Sequence, residues 1–453
     1  MSNVPASSEN VPQLRRTLGL FDLILYGLIV IQPTAPMPVY GVMSVRSNGH
    51  AITAVLIAMV AMLFTALSYG KMARAYPSAG SAFTYVGREI HPVLGFITGW
   101  SMAMDYILNP LICTILSSKC ALIFFPNIPY TVWVFAFILL FTIYNLQGIE
   151  TSARINTLLA AAMGIVIIVF LVAAARYIGL IPHAGLHFFT RPFYDPHTFS
   201  TRAVLGGTSL AVLTYIGFDG ISTLSEEAKN PRRNILLATM LVCLLTGLLA
   251  GAEVYAAQLV WPGGQSFPDV DTAFVHVAGR AGGPWLLTLI NITLLVATVG
   301  SGMGSQLGAA RLLYAMGRSN AIPKSFFGAI EPKHRIPRNN VLAVGAVALV
   351  GSMVMSFERG VELLNFGALL AFMGVNASAF FHYYLRETNK TVLNFIMPVA
   401  GFLICLLLWI SLSWHAKLLG MAWMTAGIAY GAYNTRGFRT GFADFAVPSS
   451  NEP

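Results

Sequence analysis

Twelve apolar blocks, most of them about 20 residues long or longer, follow one another along the 453-residue chain. A helix of about 20 residues spans the roughly 30 Å hydrocarbon core of a bilayer. No water is available there, so each block must satisfy its own backbone, and the helix does this within one segment. The approximate limits are 20–45, 51–70, 92–125, 130–148, 155–180, 203–226, 234–261, 284–316, 340–357, 361–385, 393–413 and 416–434. Only 10% of the residues are charged and the mean hydropathy is +0.69. That is too little charge to coat a water-soluble protein of this length. The chain reads as an all-α polytopic membrane protein with twelve transmembrane helices.

An even number of crossings places both termini on one side. If that side also receives the even-to-odd loops, it holds 19 of the 27 Lys and Arg residues, and the bias predicts cytoplasmic termini in a cell membrane. The same loops account for the net charge of +9 through contact with anionic lipid, and no nucleic-acid partner is expected. The first 19 residues are polar, include Arg15 and Arg16, and lack the apolar core of a removable signal peptide. They form a tail before a twelve-helix domain over 20–436, and 437–453 form a second tail. Cys113, Cys120, Cys243 and Cys405 lie within the blocks and read as packing residues. His183, His187 and His197 sit in a loop rich in Pro and Gly, which makes a poor metal site. No metal or cofactor is expected.

Two blocks are broken. The first contains Ile31-Gln32-Pro33-Thr34-Ala35-Pro36-Met37-Pro38. Each proline removes one amide and its bond to the carbonyl four residues earlier. The carbonyls of Ile29, Gln32 and Thr34 are therefore expected to be free, with amides left only at Thr34, Ala35 and Met37. Such a segment favours an ammonium group or a cation over a carboxylate. The sixth block contains Tyr215-Ile216-Gly217-Phe218-Asp219-Gly220. Its glycines permit unusual backbone angles, and Asp219 is an ionisable group inside a span. Tyr215 and Phe218 are expected to offer their ring faces to a cation or close over a solute. Paired breaks in corresponding helices point to the binding site of a secondary transporter built from two copies of one unit, about 20–180 and 203–385, with helices 11 and 12 at about 393–434.

Other buried polar groups join this reading. Asp105 and Asn109 share one helix face and are candidates to line the pathway. Glu253 is a candidate proton or cation carrier. Lys119 is expected to snorkel outward, and Glu226 and Glu227 to form a surface salt network with Lys229, Arg232 and Arg233. Gly300-Ser301-Gly302-Met303-Gly304-Ser305-Gln306-Leu307-Gly308 lies in a span, which excludes a nucleotide loop. Its glycines at every fourth position are expected to admit a neighbouring helix. Ser301 and Ser305 are candidates to complete a sodium site with the carbonyls of block one.

Three stretches carry a resemblance. They are YGKMARAYPSAGSAFTYV from Tyr69 to Val86, IGFDGISTLSEEAKNPRRNI from Ile216 to Ile235, and RLLYAMGRSNAIPKSFFGAIEPKHRIP from Arg311 to Pro337. Their order and spacing resemble the amino acid–polyamine–organocation permeases, and more nearly bacterial putrescine importers and related amino acid permeases. The resemblance runs from about Leu18 to Arg436. It implies a LeuT-type fold: a 5+5 inverted repeat with two extra helices, and helices 1 and 6 broken. It also implies alternating access, with contributions to the site from Asn109, Asn365 and Phe366. This chain departs from the family pattern in three places. Prolines replace the glycine-rich break of helix one. Pro38 stands where putrescine importers are expected to carry Asp. Met163 stands where some proton-coupled members carry Lys.

The expected function is secondary active import of amino acids or polyamines, driven by H+, Na+ or a counter-substrate. The alternatives are an antiporter for a neutral amino acid and a nutrient sensor that binds without transport. An enzyme would need a nucleophile–base pair or metal constellation in the spans, and the sequence offers none. Paired broken helices also argue against a channel.

Overall fold

The computed structural model describes residues 17–76, 81–147, 153–182, 185–225, 227–263, 265–318, 322–331, 336–387, 390–435 and 437. The chain begins with a helix in two pieces, α1 (Leu20–Ile31) and α2 (Pro36–Arg46). It continues through α3 (Ala51–Ala75), α4 (Ser81–Glu89), α5 (Pro92–Phe124), α6 (Tyr130–Leu146), α7 (Ala153–Leu180), the short α8 (Gly185–Thr190) and α9 (Thr201–Ala211). The rest comprises α10 (Pro231–Val260), α11 (Ala273–Gly282), α12 (Pro284–Arg318), α13 (Lys324–Phe327), α14 (Arg338–Val354), α15 (Phe357–Phe380), α16 (Val392–Ser411) and α17 (Trp414–Asn434). Among the described residues the only β pairing is an isolated bridge between Leu18 and Ala228.

Eight helical spans among these residues are long and apolar enough to cross a membrane, and the α1–α2 pair makes a ninth with a 56° bend. The chain is a multi-pass membrane protein. The remaining apolar blocks coincide with α6 and α14, of 17 residues each, and with α17, of 21 residues. Large apolar side chains such as Leu139, Ile165, Leu248 and Val350 are exposed on the outer faces, as hydrocarbon contact requires. All four cysteines are free and buried.

The helices sort into two packing groups. The first joins α1, α2, α3, α9 and α10; the second joins α5, α6, α12 and α14. α7 touches α1 and α10 on one side and α12 on the other, while α15 leans on both α3 and α5. Pro110 lies inside α5, where it deprives the Tyr106 carbonyl of its intrahelical partner at the seam between the groups.

Candidate functional site

The first break forms because Gln32 takes a positive φ of 69°, and prolines at 33 and 36 forbid an immediate return to the helix. Pro36 then starts α2, where its missing amide has no cost. Tight turns recapture most of the backbone. The Ala35 amide donates to the Gln32 carbonyl at 3.1 Å, and the Met37 amide to the Thr34 carbonyl at 3.0 Å. This corrects the expectation from sequence. Of the three carbonyls released by proline, two are taken up again, and the amides of Ala35 and Met37 are spent on them. The Gln32 side chain is also committed: its Nε2 donates to the Ala297 carbonyl of α12 at 3.2 Å. Ile29, whose carbonyl Pro33 cannot serve, faces the cavity described below.

The second break follows α9. A 3-10 turn over Val212–Tyr215 gives way to Ile216 and Gly217, and a second 3-10 segment runs over Phe218–Leu224. Gly217 has φ +120°, and a Cβ there would lie 3.0 Å from Val30 and 3.2 Å from Ile31. Only glycine suits both the angle and this approach of the two breaks. The Gly217 amide donates to Asp219 Oδ1 at 3.3 Å, which turns the carboxylate back toward the gap.

Between the two packing groups lies a cavity of about 860 Å3. Group one supplies Ile29, Gln32, Pro33, Ile216, Gly217 and Asp219 to its wall; group two supplies Asp105, Asn109, Ser301 and Ser305. Met163 of α7 closes the side. Asp105 and Asp219 interact electrostatically. Among the described residues that line the cavity there is no Lys, Arg or His, so its ionisable charge consists of two carboxylates. The cavity extends toward Tyr144 and Leu159, at the ends of α6 and α7 that face their connection. Toward the opposite helix ends, outside the cavity lining, charged side chains pair. Arg46 of α2 stands 3.8 Å from Glu362 of α15, and Glu362 also accepts the Ser413 amide at 3.1 Å. Lys119 pairs with Asp269 at 2.9 Å and with Asp271 at 3.6 Å. The Asp271 side chain is mostly buried, and that burial raises its carboxyl above the usual range despite Lys119.

Several residues expected at the site do not line this cavity. Tyr215 is fully buried and donates its hydroxyl to the Val55 carbonyl at 2.9 Å. Phe218 is equally buried and packs edge-on against Tyr69. Their side chains turn into group one because a helical turn that aims Asp219 at the gap aims its neighbours elsewhere. Ile31, Ala35 and Met37 pack behind the first break, and Thr34 Oγ1 is 3.9 Å from the Met163 sulfur. Asn365 donates to the Ser209 carbonyl at 2.7 Å, and Phe366 stacks near Trp409, so both tie α15 to its neighbours. Glu253 of α10 is fully enclosed, and among the described residues neither carboxyl oxygen has a hydrogen-bond partner.

The glycine repeat in α12 also differs from expectation. A Cβ at Gly300 or Gly304 would meet nothing within 4 Å, and Gly308 has only ordinary contact with Tyr106. This face makes room for the cavity and does not seat a helix. Close packing occurs at Gly302, where a Cβ would fall 2.4 Å from Phe141. Ser305 Oγ donates to the Gly302 carbonyl at 3.3 Å. Outside the cavity, Glu226 and His183 lie beyond the described residues. Among those described, no ion pair joins Glu227 to Lys229, Arg232 or Arg233. His187 and His197 belong to no group of three potential metal ligands among the described residues.

Tyr26, Tyr106 and Tyr144 line the cavity and were not anticipated. Two signals in the sequence point to Tyr26 and Tyr106. Tyr26 lies three residues before Ile29, on one helix face, and Pro110 loosens α5 four residues after Tyr106.

The amino acid permease family profile matches residues 39–447. The low-affinity putrescine importer PlaP of Escherichia coli is 37% identical over 446 residues, covering 96% of this chain and 97% of its own. The branched-chain amino acid permease BcaP of Bacillus subtilis is 26% identical over 454 residues, covering 93% and 94%. The vacuolar cationic amino acid transporter 4 of Arabidopsis thaliana is 25% identical, covering 80% and 62%.

Proposed function

The chain belongs to the amino acid permease family, and we propose that within the family's range of amino acids and polyamines it imports a small diamine by alternating access. The observation that carries this reading is the cavity with two carboxylates and no basic side chain among its described lining. An amino acid brings a carboxylate that needs amides or a cation. Here the amides of Ala35 and Met37 are already spent. A diamine brings two ammonium groups, which Asp105 and Asp219 meet from opposite packing groups. Asn109 and the three tyrosines supply further acceptors and ring faces. The 37% identity to a putrescine importer supports the same substrate class.

In this reading, twelve helices cross the cell membrane as a 5+5 inverted repeat with two extra helices, and both termini are cytoplasmic. The cavity then opens inward. Group one rocks against group two, and the Arg46–Glu362 and Lys119–Asp269 pairs close the outer side. A diamine bridging Asp105 and Asp219 draws the two groups together, which links occupancy to closure. Protons carried by Asp105, Asp219 or Glu253, or a counter-substrate, drive net movement. A difference of roughly 1–3 kcal/mol in affinity between the states suffices to couple them. Ser301 and Ser305 face the same cavity and are the residues available to a sodium ion.

The branched-chain permease relative favours a second reading, a neutral amino acid substrate held through the Thr34 amide. Uptake into proteoliposomes separates the two. With an imposed pH gradient and no sodium, labelled putrescine should accumulate and labelled leucine should not. Asp105→Asn and Asp219→Asn should each impair putrescine uptake. Uptake of leucine alone would overturn the diamine reading.

A further inference from the structure

A second depression, of about 410 Å3, shares no lining residue with the transport cavity. It sits between the first turns of α10 and α16, with the last turns of α3 behind it. Both flanking helices are lipid-facing: Leu241, Leu245 and Leu248 of α10 and Val392, Leu393 and Ile396 of α16 are exposed. The depression therefore lies at helix ends beside two faces of exposed apolar side chains.

Its charge is the reverse of the transport cavity. Lys71, Arg74 and Arg232 line it, against the single carboxylate of Glu387. Glu387 lies 3.8 Å from His382, which shares the pocket. Lys71 is held in place by a neutral acceptor, Asn394 Oδ1, at 2.7 Å. Among the described residues none of the three cations forms an ion pair. Three cations face one carboxylate there, which leaves the pocket with net positive charge, and the apolar faces beside them fit an amphiphile.

We propose that this pocket binds the headgroup phosphate of an anionic phospholipid, whose acyl chains lie along α10 and α16. Its assignment to the cytoplasmic leaflet rests on the proposed orientation; the binding itself is independent of orientation and of the transported substrate.

Native mass spectrometry of the full chain in detergent tests the proposal. Phosphatidylglycerol and phosphatidylcholine with identical acyl chains are titrated separately. Phosphatidylglycerol should bind the wild type at least about fivefold more tightly. Arg232→Gln should weaken it about fivefold, the worth of one basic side chain at an anionic surface. Arg232→Lys should retain most of the affinity. Arg233→Gln, next in sequence but outside the pocket lining, should change little and controls for net charge. Equal binding of the two lipids, or equal losses from the Arg232→Gln and Arg233→Gln variants, would overturn the proposal. So would displacement of phosphatidylglycerol by excess inorganic phosphate, which would identify a free anion as the ligand.

Discussion

The two interrupted spans look alike as sequence and differ as chemistry. In the first, three prolines remove donors, but the turns that replace the helix spend the amides of Ala35 and Met37 on the carbonyls of Gln32 and Thr34. The result is a corner that satisfies itself. In the second, glycine at 217 allows a backbone that brings the Asp219 carboxylate to the cavity wall, where it accepts the Gly217 amide and still faces the gap. A proline break thus changes direction, whereas a glycine break presents a functional group. This comparison moves the expected recognition of positive charge from surplus carbonyls to the pair of carboxylates.

The sharpest way to break the comparison is Asp219→Asn. Removing one partner of an enclosed charge pair costs about 2–5 kcal/mol. Putrescine kcat/KM should therefore fall by at least about 30-fold in proteoliposome uptake. A variant near wild type would return the site to the first break. Asp105→Asn should cost less, about tenfold, because a charged hydrogen bond is worth about 1.5–3 kcal/mol and the substituted amide keeps an acceptor oxygen at the same place. If the carboxylates hold the two ends of one diamine, a monoamine of similar length should lose its dependence on one of them. Equal sensitivity of mono- and diamines to both variants would count against a bridging substrate.

A smaller effect is expected at the hinge. Gly217→Ala forces a side chain into φ +120° and against Val30 and Ile31. Strain of this kind costs about 1–3 kcal/mol. At the low end of that range uptake should fall by about fivefold, with the preference for putrescine over leucine unchanged, since no contacting group is removed. A change in preference would mean that the hinge shapes the pocket as well as permitting its closure.

The parts that were legible in the sequence are those where hydrocarbon leaves little choice. The apolar blocks came out helical, eight spans among the described residues being long enough to cross a membrane and the bent α1–α2 pair a ninth, because no other segment satisfies itself there. Asp105 and Asp219 stood out because a charge in a span is costly, and both face the cavity. What was not legible depends on direction. Residues 215, 218 and 219 are near neighbours in sequence, yet only Asp219 of these faces the gap, while Tyr215 reaches Val55 and Phe218 reaches Tyr69. The glycines of α12 read as a seat for a helix and instead border open space. A composition signal gives a small side chain, not which neighbour is missing.

The mildest test concerns the first break itself. Pro33→Ala returns an amide within reach of the Ile29 carbonyl, the one released acceptor that the turns do not recapture. If this carbonyl were a principal ligand for the ammonium, filling it would resemble the loss of a hydrogen bond to a charged group, about tenfold or more. If the break serves as a corner, the positive φ of Gln32 and the prolines at 36 and 38 keep the bend, and the Ala35 and Met37 bonds persist. Putrescine uptake should then change by less than about threefold, within the roughly 0.5 kcal/mol expected where no specific contact is altered. A loss as large as that of Asp219→Asn would show that the two breaks share the charge after all, and that the 860 Å3 cavity is read by backbone on one side and by carboxylate on the other.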